Sequence, residues 1–273
     1  MLLGFSIWEI PSGRYTTNDV AILFAYLLQQ RRPLRSLGDC CRRFQSSLSS
    51  SKRIWGFLMQ RPNIVEVAGA TDLLSCDGHI TFQNVNFAYR GKETLTLQNL
   101  TFSSKPGQTT GFVGPSGVGK TTIFRLLFRC DDVQQGTIKI DGHDVRDLKL
   151  QSLRRHIAIV PQDPVLLNGT VMDNIRLANS NIGDKDIFRK AQEFGFHEVF
   201  TDLPDGYETT VGGRGLRLSG GERQMVFIFM AVLKGAKIIL LDEATAAVDP
   251  QREKQFQVAL KNLKAERTVI LIA

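Results

Sequence analysis

The sequence predicts an α/β domain with a mainly parallel sheet, preceded by a shorter helical segment. Three observations carry that expectation. A short strand-like run, Thr109 to Val113, leads into a Gly-rich loop and then a helix, Thr121 to Phe128. An uninterrupted apolar run, Ile238 to Leu241, ends in Asp242-Glu243, as a strand covered on both faces would. The chain also changes character near residue 70, where helical patterning gives way to strands.

Taken in order, residues before 70 read as helix: an apolar stretch at Val20 to Leu28, Arg-rich turns, then the polar run Gln45 to Ser51. Pro62 and Ala68-Gly69-Ala70-Thr71 read as a linker. His79 to Tyr89 places Ile80, Phe82, Val85 and Phe87 on one side of a half-buried strand. Leu95 to Phe102 is a second strand, and Pro106-Gly107 marks the turn after it. Beyond the Gly-rich loop come a strand at Ile157 to Val160 and a helix at Asp184 to Phe194. A long helix starts at Ser219, and a last strand runs from Thr268 to Ile272.

The chain has 273 residues, 42% of them hydrophobic, enough for a packed core. Its net charge of +7 is concentrated between Arg31 and Arg53, where seven basic residues face one acid, Asp39. A basic cluster directly after an apolar run fits the flank of a membrane helix better than a nucleic-acid surface. Neither Met1 to Ile10 nor Val20 to Leu28 reaches the roughly twenty apolar residues of a full span. Both read as pieces of longer membrane helices, and the first lacks the form of a signal peptide. Cys40, Cys41, Cys76 and Cys130 form no C-x-x-C pair and read as reduced thiols without a metal.

Gly114-Pro115-Ser116-Gly117-Val118-Gly119-Lys120-Thr121 fits G-x-x-x-x-G-K-[ST] between a strand and a helix, with Thr122 next. Glycines let successive backbone N–H groups converge on a phosphate chain, and the helix adds its positive N-terminal end. Lys120 supplies a charge for the β- and γ-phosphates, and the Thr121 hydroxyl a Mg²⁺ ligand. At the carboxyl end of a parallel strand, where ligands collect, Asp242 is placed to hold Mg²⁺ and Glu243 to act as general base. Leu218-Ser219-Gly220-Gly221-Glu222 opens another helix; Ser219 is the expected N-cap, Glu222 its capping-box partner, and the small residues leave the helix end open to an anion.

Together these motifs resemble the ATP-binding cassette of ABC transporters over roughly residues 74 to 273. The resemblance implies a P-loop NTPase (RecA-like) core, an antiparallel β subdomain and a helical signature subdomain. It implies that Gln162, in Val160-Pro161-Gln162-Asp163, contacts Mg²⁺ and the attacking water, and that Tyr89 stacks on adenine. Ser219, Gly220, Gly221 and Glu222 would meet the γ-phosphate of ATP held by a second cassette, in a homodimer or heterodimer. Val211 to Gly215 is similar to the exporter X-loop, and Asp249 closes a D-loop-like run. Residues 1–70 resemble the end of an exporter's membrane domain with its linker, and the LSGGE form is similar to that of heavy-metal-tolerance and mitochondrial iron–sulfur-export half-transporters. That implies an integral membrane exporter, vacuolar or mitochondrial, with the cassette on the cytosolic or matrix side.

The chain departs from the family pattern in four respects. Gly213 stands where exporters carry Glu, Ala246 where they carry Ser, and Met225 to Ala231 is apolar where small residues and arginines are usual. The switch His of the family would follow Ala273, so the chain is expected to be a fragment that binds Mg-ATP and hydrolyses it slowly. The competing readings are a soluble ABC ATPase of DNA repair or translation and an ABC protein that binds ATP without turnover. No heptads separate Lys120 from Ser219, which argues against the coiled-coil DNA-repair type.

Overall fold

The computed structural model describes residues 16–60, 62–91, 94–115, 117–215, 217–242, 258, 261–263 and 267–273, apart from the side chains at 23, 31–35 and 214. It divides into two compact units, Met1–Pro62 and Asn63–Ala273.

In the first unit, α1 (Thr17–Leu58) is a single helix that contains both the apolar stretch and the Arg cluster. Thr16 and Asp19 start it with a reciprocal capping box. Among the described residues no helix is long and apolar enough to cross a membrane.

The second unit contains two four-stranded sheets. The antiparallel one has the order β2-β1-β4-β5, from β1 (Ile80–Phe87), β2 (Leu97–Ser104), β4 (Gln135–Ile140) and β5 (His143–Asp144). The parallel one has the order β3-β8-β7-β6, from β3 (Thr109–Phe112), β6 (Ile157–Val160), β7 (Ile238–Asp242) and β8 (Thr268–Ile272). The helices are α2 (Lys120–Leu127), α3 (Leu150–Arg155), α4 (Val171–Arg176), α5 (Asp184–Phe194), α6 (His197–Thr201) and α7 (Gly220–Leu233).

The apolar run of β7 serves both faces of its sheet. Ile239 and Leu241 join Ala158, Val160 and Val269 in a core shared with α4 to α7. Ile238 and Leu240 join Ile157, Ile270 and Ile272 in a second core, with α2 and the antiparallel sheet. The period of two along a strand produces this division, because neighbouring side chains point to opposite faces. Each fully buried aliphatic side chain contributes about 1.5–3 kcal/mol, so the two cores hold the layers together.

In β1, the step from Phe82 to Val85 is three residues rather than two, and the ladders to β2 and β4 shift register there. Asn84 takes φ 49° at this bulge. Gly136 on β4 passes so close that a Cβ would lie 2.4 Å from the carbonyl oxygens of Gln83 and Asn84. The bulge keeps Val85 and Phe87 on the buried face despite the odd spacing.

The proposed linker is built into the second unit, which begins at Asn63 rather than at residue 74. Leu73 is buried; its N–H donates to Ser152 Oγ and its carbonyl bonds His156 Nε2. Thr71 forms a parallel bridge with Leu148, and Glu66 Oε1 accepts from the Leu150 N–H. The guanidinium of Arg129, 1% exposed, donates to Val65 O, Leu148 O and Asp132. Arg129 lies just beyond α2, so one buried side chain ties the entering segment to the helix that follows the Gly-rich loop.

The apolar helix α7 is largely buried, as its all-round composition requires. Phe229 packs with Phe196 and Phe200 at ring centroid distances of 5.1 and 5.5 Å, while Phe227 stays half-buried. One of the two rings thus joins an aromatic cluster and the other stays at its margin.

Candidate functional site

Parallel pairing brings the chemistry to one edge. Phe112, Ile272 and Asp242 stand in one row across β3, β8 and β7, and Val160 pairs with Leu241. The Gly-rich loop therefore leaves β3 at the same end of the sheet where β7 delivers Asp242 and β6 delivers Gln162. Gln162 is exposed and Asp242 half-buried. Glu243, Ala246 and Asp249 lie outside the described residues, as does Ser116.

The loop is shaped by its glycines. Gly119 is the N-cap of α2 at φ 102°, with no side-chain cap. A Cβ there would sit 3.0 Å from Thr96 O and from Leu97 Cδ2, so both conformation and space demand glycine. Gly117 also has positive φ, 82°, but faces open space. Gly114 is different: a Cβ would make an ordinary 3.5 Å contact with Val118. No side chain caps the start of α2, where the Thr122 N–H turns back to Gly119 O at 3.1 Å, and a helix start of this kind suits an anion. Lys120 Nζ donates to Gly114 O across the loop.

Beside the loop lies a cavity of about 590 Å³ lined by Tyr89, Thr94, Leu95, Thr96 and the run Gly117 to Thr122. Thr121 is exposed, whereas Thr122 is buried with its hydroxyl 2.9 Å from Tyr89 Oη. Tyr89 packs edge-on against Phe87, centroids 5.0 Å apart, and Arg125 lies 5.8 Å from the centre of its ring. Hydrogen bonds from Arg125 to Asp131 raise the Arg125 pKa above its ordinary value. The group of oxygen donors expected from Thr121, Gln162 and Asp242 suits Mg²⁺, which takes few protein ligands and shares phosphate oxygens. Among the described residues no cluster of three His, Cys, Asp or Glu offers a self-contained metal site. A nucleotide fits the loop, helix end and aromatic side chain gathered here.

A second cavity of about 600 Å³ opens around Asp72, Ser152, His156 and Lys234. Its Lys234 ammonium is engaged by Arg154 O and Ile157 O, and its pKa is lowered by burial. His156 is likewise engaged by Leu73 O. This cavity contains none of the predicted site residues.

Ser219 and Glu222 form the anticipated capping box: Ser219 Oγ accepts from the Glu222 N–H at 3.2 Å, and Glu222 Oε2 from the Ser219 N–H at 2.8 Å. The helix end is therefore less open than the sequence suggested. Its carboxylate already takes one position near the helix end, leaving the N–H groups of Gly220 and Gly221 without intrahelical acceptors. Arg223 spans from Leu218 O, at 2.7 Å, to Asp163, at 3.5 Å, and so holds this turn beside the residue that follows Gln162. Ser219 to Glu222 do not line the Tyr89–Lys120 cavity. Gly213 is exposed at the start of a 3₁₀ turn, Gly213–Gly215, ahead of them.

Sequence reasoning did not single out Thr94 to Thr96, Arg125 or Asp131. Arg125 was accessible to it, being three positions after Thr122 and so on the same face of the helix.

Residues 97–246 match the ABC transporter family model. The chain is 40% identical to ATP-binding cassette sub-family B member 6 of Rattus norvegicus, over all of this chain and 34% of that protein. It is 40% identical to the heavy metal tolerance protein of Schizosaccharomyces pombe, over 98% of this chain and 32% of that protein. The chain thus spans about a third of the length of these curated relatives. A solved bacterial Atm1-family ABC exporter with ATP bound is 35% identical, with a TM-score of 0.77 over 99% of this chain and 47% of that one.

Proposed function

The chain belongs to the ABC transporter family and carries its ATP-binding domain, and from that premise we propose that it binds and hydrolyses Mg-ATP as the motor part of a membrane exporter. The observation that supports this most is the uncapped start of α2, with Lys120 and Gly119, sharing one cavity with Tyr89.

In this reading the N–H groups around Gly119 and Lys120 hold the phosphates, and Lys120 exchanges Gly114 O for phosphate oxygens. Tyr89 offers its ring to the base, a contact that needs only a π face. Thr121, Gln162 and Asp242 would hold Mg²⁺, which would supply positive charge against the phosphates. Glu243 accepts the proton of the attacking water, and Gln162 orients that water. Ser219, Gly220, Gly221 and Glu222 serve the nucleotide of a second cassette, in keeping with their position outside this chain's own cavity. Two cassettes would then close on two ATP molecules and drive membrane segments, to which the 1–70 region contributes. The cassette faces the cytosol or an organelle matrix.

Titration with a fluorescent ATP analogue tests the reading. Lys120→Ala removes a charge-assisted phosphate contact and should weaken binding by about 1.5–3 kcal/mol. Equal affinity in the two proteins would refute it.

A further inference from the structure

Thr122 and Arg125 are three residues apart on α2, so both project from one face of the helix that carries Lys120. Both meet Tyr89. The Thr122 hydroxyl lies 2.9 Å from Tyr89 Oη, and the Arg125 guanidinium carbon 5.8 Å from the ring centroid. Arg125 is itself tethered: its Nε and Nη2 donate to Asp131 Oδ2 at 2.9 and 2.6 Å. Phe87 closes another approach with its ring at 83° to that of Tyr89. Tyr89 and Thr122 line the cavity, but Arg125 and Asp131 do not.

We propose that Arg125, held by Asp131, is a positioning residue for Tyr89 that tunes how strongly the nucleobase is bound without touching the triphosphate. The proposal rests on the reading of Tyr89 as the base platform. A cation over an aromatic face is attracted to the ring quadrupole, which fixes the ring's tilt. A ring fixed before binding loses less rotamer freedom when a base settles on it. Thr122 anchors the ring by its hydroxyl, and Arg125 holds it by its face. The helix that receives the phosphates thus also sets the platform for the base. The Arg125–Asp131 pair is partly exposed, at 46% and 25%, so removing it should leave the fold intact.

The test compares two probes on the full chain by calorimetry: ATP and inorganic tripolyphosphate, which has no base. Arg125→Ala and Asp131→Asn should each weaken ATP by about two- to fivefold, the size of an exposed cation–π contact. Tripolyphosphate affinity should not change. Arg125→Lys, which keeps the charge, should recover part of the loss. In a Tyr89→Ala background, Arg125→Ala should have no further effect. Equal weakening of ATP and tripolyphosphate would mean that Arg125 acts on the phosphates and would overturn the proposal, as would an undiminished Arg125→Ala loss in the Tyr89→Ala background. A Tyr89→Ala loss with a silent Arg125→Ala overturns the proposal and leaves the platform reading standing. If Tyr89→Ala binds ATP as tightly as wild type, the platform reading itself fails.

Discussion

Replacing Arg129 by Met should destabilise the nucleotide unit by about 2–4 kcal/mol. The side chain is 1% exposed and makes three polar contacts. Methionine keeps most of the volume but no donor. Leu148 O lies in a buried environment, and leaving it unpaired costs about 1–3 kcal/mol. Val65 is 67% exposed, so water can reach its carbonyl and the loss there is nearer the net worth of one hydrogen bond, about 0.5–1.5 kcal/mol. Asp132, 37% exposed, is resolvated at little cost. The assay is urea unfolding of residues 63–273 followed by circular dichroism. Tryptophan fluorescence would be uninformative, because Trp8 and Trp55 both precede that segment. Arg129→Lys should fall between the two, since one ammonium cannot reproduce the planar fork. A change below about 1 kcal/mol in Arg129→Met would mean that the buried guanidinium is not a clasp and that its polar contacts are nearly neutral.

Three further outcomes follow from the same structure. A fragment starting at residue 74 should be less stable than one starting at 63 by about 3–5 kcal/mol, because it loses the burial of Leu73 and the bonds to Ser152, His156 and Leu150; matching urea midpoints would contradict this. Gly119→Ala should weaken ATP binding more than Gly117→Ala: both carry left-handed strain equivalent to about 5–30-fold, but only a Cβ at 119 also meets Thr96 O and Leu97 Cδ2 at 3.0 Å. Equal losses at the two positions, read by titration, would remove the steric argument. Ser219→Ala should cost about 1 kcal/mol of stability through the lost cap and should lower steady-state phosphate release; unchanged release would separate the cap from turnover.

The parts of the fold that were legible in the sequence are those whose signal is local. Asp184 to Phe194 is bounded by Gly183 and Gly195, and its helix ends fall where the sequence placed them. Ile238 to Leu241 could only be a doubly covered strand, and it is. The Ser219–Glu222 capping box was readable because both partners lie within one turn. By contrast, β4 and β5 escaped notice, although Ile138 and Ile140 alternate, because Gln135 and Gly136 open β4 without an apolar signal. What defines that strand is its pairing, with β1 some fifty to sixty residues away on one side and with the short β5 on the other. The helices α3, α4 and α6 are five or six residues long, too short for a 3.6-residue period to stand out.

In the linker, composition alone conceals the packing that the second compact unit gives to residues 63–73. Ala68 to Thr71 has the small and Gly-containing character of a connector. What fixes the segment around it, from Val65 to Leu73, is a set of partners at 129 and 147–156, none of which is adjacent in sequence. The same holds at the site. The sequence supplied Lys120, Thr121 and Asp242 because a motif compresses them into neighbours of a strand end. It could not place Arg125 and Asp131, because their meaning depends on where Tyr89 comes to lie. The bulge at Gln83–Asn84 puts Val85 and Phe87 on the buried face of β1, and Tyr89, two residues beyond Phe87, has its hydroxyl beside that of Thr122. Gly136→Ala, whose Cβ would lie 2.4 Å from the carbonyl oxygens of Gln83 and Asn84 at a left-handed residue, should therefore force β1 and β4 apart and weaken ATP binding from a position outside the nucleotide cavity; unchanged ATP affinity in titration would show that the register of β1 does not set Tyr89.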